Sequence, residues 1–354
     1  MKPDMMTLLK EVVARKASDL HIVVDSPPQI RIDEKLVKTE YDLVTPQTAK
    51  ELAYSLLSKE QISEFEKEKE LDMSFGIKGL SRFRVNVYIQ RGNVGVAVRA
   101  IPFEMLSFEQ CGLPVEVVTK LCNRPKGLIL VTGATGSGKS TSLAAMVEYI
   151  SSQRACNIIT IEDPIEYVHQ HKKAIIAQRE IGSDTNSFTA ALKHILRQDP
   201  DVILIGEMRD LETIESAMII AETGHLVFAT LHTSDSAQTI NRIIDVFPGY
   251  QQAQIRTQLS FVLLSILSQQ LIPKATGTGR VLATEVLVMN PAIRSMIRES
   301  KVHQVYSAIQ TGQKEGMNTM NLSLSELYKK GVITYEDAFA RTIDSGDLAR
   351  LMNK

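Results

Sequence analysis

The stretch GLILVTGATGSGKST, Gly127–Thr141, constrains this chain more than any other. An apolar run enters a glycine-rich loop, and a helical pattern leaves it. The spacing G-x-x-x-x-G-K-[ST] is met over Gly133–Ser140. Glycines so spaced let the backbone turn its N–H groups towards one point, and the helix start adds its positive dipole end. A cradle of that kind takes phosphate. The expected nucleotide contacts are Gly133, Ala134, Thr135, Gly136, Ser137, Gly138, Lys139, Ser140 and Thr141. Lys139 is expected at the β and γ phosphates of ATP, and the Ser140 hydroxyl at Mg²⁺.

Strand, loop and helix in that order also bound the fold. The apolar runs NIITIED, DVILIGE and HLVFATLH follow, separated by helical stretches. Strands alternating with helices imply an α/β domain built on a parallel sheet with crossovers. Upstream the grammar differs. Leu8, Leu9, Val12 and Val13 fall on one helix face, ASDLHIVV turns a helix end into a strand, and Thr45-Pro46 starts a helix expected through Ser58. Ser81–Pro102 alternates about a break at Gly92-Asn93, as a β-hairpin does. The expectation is an α+β domain over 1–100, a connector over 101–115 with Pro102, Gly112 and Pro114, an ATPase core over 116–290, and short helices over 291–354. The 354 residues suit two domains of ~150 each.

Carboxylates mark the strand ends. Glu207 closes DVILIGE, and ligands of open α/β sheets sit at the carboxyl ends of strands. It is the expected residue to orient or deprotonate an attacking water. Gly206 stands where this motif usually carries a metal-binding aspartate. Glu162, Asp163 and Glu166 cluster in IEDPIE, where they suit Mg²⁺ or a polarised water; a solvated turn is the competing reading. His232 follows a strand at its carboxyl end, placed to sense a γ-phosphate, while His225 precedes the same strand; both also read as structural histidines. Arg82, Arg84 and Arg99 lie on the hairpin, with Arg84 and Arg99 able to face one another. Arginines supplied from outside stabilise the charge of a phosphoryl transition state; three solvated strand arginines are the alternative.

Composition excludes several classes. A net charge of -1 provides no global field for nucleic acid or an anionic membrane. Aromatic residues are 5%, and tryptophan is absent. A RecA-like nucleic-acid motor would call for a basic stripe or stacking aromatics. Cys111, Cys122 and Cys156 have no CxxC spacing, which reads as reduced thiols without a zinc site. The N-terminus lacks the apolar core of a signal peptide, and FVLLSIL (Phe261–Leu267) is far short of the ~20 residues a bilayer takes. The expectation is a cytoplasmic protein whose membrane association comes through a partner.

AIRSMIRE, Ala292–Glu299, follows Asn290-Pro291, a cap and a first-turn proline. Ala292, Ile293, Met296 and Ile297 are expected to pack inward, and Arg294 and Arg298 to face out. A plain amphipathic helix would explain that spacing by itself.

The boxes GATGSGKST, ITIEDPIEYVH, ILIGEMRD and GHLVFATLHT, in that order, resemble the secretion ATPase superfamily that powers type II secretion, type IV pili and related machines. ASDLHI is similar to the start of that family's N-terminal PAS-like domain. The resemblance is nearest to the pilus-retraction branch: the sequence carries no tetracysteine zinc motif, and a chain without an additional N-terminal docking domain is expected. AIRSMIRE is also similar to that branch's AIRNLIRE, departing at Ser295 and Met296. The resemblance implies a PAS-like domain joined to a RecA-like ATPase domain in a ring homohexamer. It implies that Arg84 and Arg99, together with Arg82, reach the γ-phosphate in a neighbouring subunit as the 101–115 hinge closes. It further implies an inner-membrane pilus platform protein (PilC-like) and an accessory paralogous ATPase as partners, and peripheral association with the inner membrane at the pilus base. Ala292, Ile293, Arg294, Arg298 and Glu299 would then serve retraction rather than hydrolysis. Rival readings are an accessory or extension-type ATPase of the same superfamily, or the nucleic-acid motor.

Overall fold

The computed structural model describes residues 2–32, 35–77, 79–101 and 105–353. The chain divides into two compact units, Met1–Glu104 with Glu166–Val168, and Met105–Ile165 with His169–Lys354.

In the first unit, α1 (Met5–Ala14) starts where the Asp4 carboxylate accepts the Thr7 N–H, and it buries Leu8, Leu9 and Val12. Three short strands follow: β1 (Asp19–Ile22), β2 (Gln29–Ile32) and β3 (Lys35–Lys38). Thr45 caps α2 (Pro46–Tyr54), with Pro46 in the first turn. The helix expected through Ser58 stops at Tyr54. Ser58 and Gln61 form a capping box that opens a separate helix, α3 (Lys59–Glu68). Then β4 (Glu70–Ile77), β5 (Ser81–Gln90) and β6 (Asn93–Ile101) complete an antiparallel sheet in the order β3-β2-β1-β6-β5-β4. The β5–β6 turn is Arg91-Gly92, one residue earlier than the expected break. Both have positive φ, 48° and 76°, as a two-residue turn matching strand twist requires. One sheet face, with Phe83, Val85, Val87, Val96 and Val98, packs on Leu8, Leu9, Val12 and Phe65.

The second unit begins with α4 (Phe108–Cys111), inside the expected connector, and α5 (Val115–Cys122), which starts at the connector's last residue. A Ser107/Gln110 capping box nucleates α4, and Gly112 closes it in the left-handed conformation. Pro102 lies outside the described residues. Next come β7 (Gly127–Thr132), α6 (Lys139–Gln153), β8 (Asn157–Glu162), β9 (Ile175–Glu180), α7 (Phe188–Ile195), β10 (Val202–Ile205), α8 (Leu211–Glu222), β11 (Leu226–Leu231), α9 (Ser236–Asp245) and α10 (Gln252–Val262). The apolar FVLLSIL is split, because Val262 ends α10 and Leu263 opens β12 (Leu263–Pro273), which turns back through Gly277 and Gly279 into β13 (Arg280–Val288). The sheet order is β13-β12-β7-β11-β10-β8-β9. It is mixed rather than wholly parallel. A short connection cannot join parallel strands, so β13 runs antiparallel to β12 at the edge.

Both faces of this sheet are buried, which is why its strands read as unbroken apolar runs. Leu128, Leu130, Ile203 and Ile205 pack with α8 and α10 residues Ile214, Ala217, Ile255 and Leu259. Ile129, Val131, Val202 and Leu204 pack on the other side with Leu143, Met146, Val147 and Ile150 of α6. The tail forms α11 (Pro291–Arg298), α12 (Val305–Thr311), α13 (Met320–Lys329), α14 (Tyr335–Arg341) and α15 (Ser345–Met352). The N-cap of α14 is Thr334, whose hydroxyl accepts the Asp337 N–H.

Candidate functional site

Parallel strands β7, β11, β10 and β8 lie side by side, so their carboxyl ends form one row. The glycine loop leaves β7 there and becomes α6 at Lys139. No side chain caps α6; its N-cap is Gly138, at φ 89°. The first-turn N–H groups therefore face the loop's concavity. Gly133 takes φ 141°, and a Cβ there would collide with the Gln269 carbonyl and Ser137 Oγ. Lys139 Nζ donates to the loop's own carbonyls, Gly133 O at 2.8 Å and Ala134 O at 2.9 Å. Thr135 and Gly136 are exposed, Ser140 and Thr141 half-buried.

Glu207 lies just beyond β10, with its side chain 21% exposed. Its Oε2 meets the Arg209 guanidinium at 2.7 Å, and its Oε1 lies 3.3 Å from His232 Nε2. Burial alone would raise its pKa. Arg209, with His232 and Lys139, more than offsets that and holds the carboxyl below its usual 4.5. Glu207 is thus ionised throughout the neutral range, in reach of charges from the loop and from the β11 end. His232 and Glu207, expected separately from sequence, are brought together. His225 stands at the other end of β11, its Nδ1 3.1 Å from Ile220 O, in a structural contact.

A Cβ at Gly206 would lie 3.2 Å from Ile161 O and 3.3 Å from the Glu162 Cα. An aspartate there would be tightly crowded by the β8 backbone, and as glycine the position supplies no metal carboxylate. The Glu162 Oε1 accepts from Thr160 Oγ1 at 2.6 Å and Gln178 Nε2 at 3.1 Å. Asp163 and Glu166 are exposed. Among the described residues no group of three or more His, Cys, Asp or Glu is arranged to hold a metal ion. The donors present are one hydroxyl, Ser140, and carboxylates near β8. These hard oxygens fit Mg²⁺, which binds through few protein ligands and takes the rest from phosphate and water.

Arg82, Arg84 and Arg99 belong to the first unit. Register places Arg84 directly opposite Arg99, as expected. Arg99 Nε bonds Asp19 Oδ1 at 2.8 Å, and Arg82 donates to Ser74 Oγ at 2.7 Å. Arg84 is exposed and has no hydrogen-bond or ion-pair partner among the described residues. Like charges directly across a sheet are destabilising. A fold that keeps such a pair, with one member unengaged, presents a ready anion contact.

AIRSMIRE departs from its expected facing. Ile293 and Ile297 are fully buried, but Ala292 is exposed and Met296 only half-buried. Arg298 and Glu299 are exposed, whereas Arg294 turns inward. Its guanidinium donates to the carbonyls of Ser260 and, at 3.1 Å, Phe261. These are last-turn carbonyls of α10, which lack partners within their own helix. Arg298 reinforces the contact through Ser260 Oγ at 3.4 Å and the Phe261 ring at 5.9 Å. Outward placement by helical spacing alone overlooked how far an arginine stem reaches. Arg294→Ala is expected to destabilise the chain by about 1.5–3 kcal/mol, the range for hydrogen bonds to a charged group. A denaturant melt of the full chain checks this, and an unshifted midpoint would refute it.

Two contributors escaped the sequence reading. Arg209 sits two residues past Glu207, just beyond the end of β10, and nothing in its spacing alone marks it as a partner of that carboxylate. Strand β12 carries no motif, and its place against the loop is a consequence of topology.

Comparison with known proteins agrees with this geometry. The family model of the type II/IV secretion system protein matches residues 1–340. The chain is 47% identical to the type IV pilus retraction ATPase PilT of Pseudomonas aeruginosa, over 95% of this chain and 97% of that protein. It is 41% identical to the type IV pilus ATPase PilU of the same organism, over 98% of this chain and 90% of that one. A crystal structure of the pilus retraction motor PilT with bound ADP superposes with a TM-score of 0.92 at 50% identity, covering 98% of this chain and 99% of that chain. The chain belongs to the type II/IV secretion system protein family.

Proposed function

We propose that this protein is an ATPase motor that hydrolyses ATP to drive type IV pilus retraction and twitching motility. The observation that carries the hydrolytic reading is Glu207, ionised and held between Arg209 and His232 at the strand ends beside the glycine loop. Retraction rather than extension is supported by 47% identity to a retraction ATPase over 95% of the chain, and by AIRSMIRE.

In this reading Gly133–Thr141 cradles the phosphates, and Lys139 exchanges the Gly133 and Ala134 carbonyls for phosphate oxygens. Ser140, with Glu162 and Asp163 from the end of β8, would hold Mg²⁺, which supplies charge neutralisation at the β and γ phosphates. Glu207 orients and deprotonates the water, with Glu166 polarising it from the acidic turn. His232 reads the γ-phosphate through its link to Glu207. The first unit is a PAS-like domain and the second a RecA-like one. Six copies form a ring in which Arg84 and Arg99, with Arg82, meet the nucleotide of a neighbour. Hydrolysis releases that clamp, a domain closure driven by different contacts to ATP and ADP. The ring acts on an inner-membrane platform protein, with an accessory paralogue as a further partner. No helix among the described residues is long and apolar enough to cross a membrane, so attachment at the pilus base runs through those partners.

Lys139→Ala tests the nucleotide site. Loss of hydrogen bonds to a charged group predicts about 10- to 100-fold weaker ATP binding. Titration of the purified protein with a fluorescent ATP analogue reads it, and unchanged affinity would remove Lys139 from the site.

A further inference from the structure

Strand β12 lies between β7 and β13, deep in the sheet. Ser268 and Gln269 are nonetheless buried there, at 0% and 1% exposure. Burying a primary amide costs stability unless it is bonded, and a leucine of similar size would carry no such cost. Gln269 Nε2 donates to Ser142 Oγ at 2.7 Å, both groups being buried. Its Oε1 has no hydrogen-bond partner among the described residues. Among the described residues the amide's one side-chain hydrogen bond is thus the one that its NH₂ group makes to α6.

The point of attachment is specific. Ser142 lies three residues past Lys139, and its N–H donates to Gly138 O at 3.0 Å, in the first turn of the helix. The Gln269 carbonyl fills the space beside Gly133, where only a glycine fits. Leu271 Cδ1 would lie 3.5 Å from a Cβ at Gly138. Ser268 and Thr132 share a hydroxyl hydrogen bond of 2.9 Å. One strand thus meets the loop at its entry, at Gly133 and at its helix, with Leu271 lying beside Gly138.

We propose that Gln269 is a positioning residue for nucleotide binding. Through Ser142 it fixes the first turn of α6 relative to Gly133, and so sets the aim of the loop N–H groups and of Lys139. Hydrogen bonds weaken steeply with misalignment, so a small tilt of this turn is felt at the phosphates. The proposal rests on the reading that Gly133–Thr141 binds nucleotide.

The test measures the Kd of a fluorescent ADP analogue with Mg²⁺, and the Tm, for the full chain and for Gln269→Leu, Ser142→Ala and the double variant. Each single variant is expected to bind roughly three- to tenfold more weakly, the worth of one hydrogen bond. The double variant should lose no more than the worse single, because both remove the same bond. Unchanged Kd in either single variant overturns the proposal, even if Tm falls, since the bond would then be purely structural. Losses that multiply in the double variant also overturn it. Should Gln269→Leu fail to fold, Ser142→Ala decides the matter, as it removes one oxygen only. Failure of the unaltered chain to bind the analogue would overturn the nucleotide-site reading itself, and the proposal with it.

Discussion

Glu207→Gln is expected to lower kcat for ATP hydrolysis by about 10²- to 10⁴-fold, the contribution of a positioned general base, while leaving ATP binding within about twofold. The two halves of this expectation have separate causes. Gln is nearly isosteric and still accepts from Arg209, so the 2.7 Å contact survives without its charge. The loop that holds phosphate is built from Gly133–Thr141, where Lys139 Nζ donates to the Gly133 and Ala134 carbonyls. What disappears is the carboxylate, which Arg209, His232 and Lys139 keep ionised against the cost of burial. Steady-state turnover with nucleotide titration on the same preparation checks both halves. Normal hydrolysis by Glu207→Gln would remove it from the catalytic role.

The second large effect concerns Arg84. Its replacement by Ala is expected to reduce kcat by about 10³-fold, the lower end of what an arginine supplied to a phosphoryl transition state contributes. Stability should be unchanged or slightly improved. The Arg84 side chain has no hydrogen-bond or ion-pair partner among the described residues and faces another arginine across the ladder, so its removal relieves repulsion of a few tenths of a kcal/mol. Arg99→Ala differs, because Arg99 also neutralises Asp19, a 12%-exposed carboxylate. That variant should lose stability as well as turnover. Paired kcat and melting measurements separate the two. Loss of turnover in Arg84→Ala with a matching fall in stability would mean a structural residue.

Much of this was legible from residue order. The strand–loop–helix grammar around Gly133–Ser140, the apolar runs of β8, β10 and β11, and the Arg84–Arg99 pairing follow from local periodicity, which a sequence displays directly. The exceptions have identifiable causes. Ser58 looked like a helix end because the preceding pattern ran into it, but its bond with Gln61 makes it a start. FVLLSIL looked like one element because apolarity is shared by the end of α10 and the start of β12. Arg294 looked solvated because helical spacing says where a side chain leaves the backbone, not where a long stem ends. The role of β12 was invisible for a deeper reason. Gln269 meets Ser142 across 127 residues of chain, a contact that only the strand order creates.

The same topology links the two ends of the site's support. Arg294 and Arg298 hold the C-terminus of α10, and α10 passes without a loop into β12, which backs the glycine loop. AIRSMIRE is therefore joined to the glycine loop through two consecutive elements, α10 and β12, and its inward-facing arginine is a structural tie as much as a surface feature.

The measurement that tests the central claim most directly is a count of surface pili on cells whose only copy of the gene carries Glu207→Gln, beside cells with the unaltered gene. A retraction motor predicts more pili, which no longer shorten. Bald cells would contradict it by indicating an extension motor, and an unchanged count would contradict a motor role in either direction.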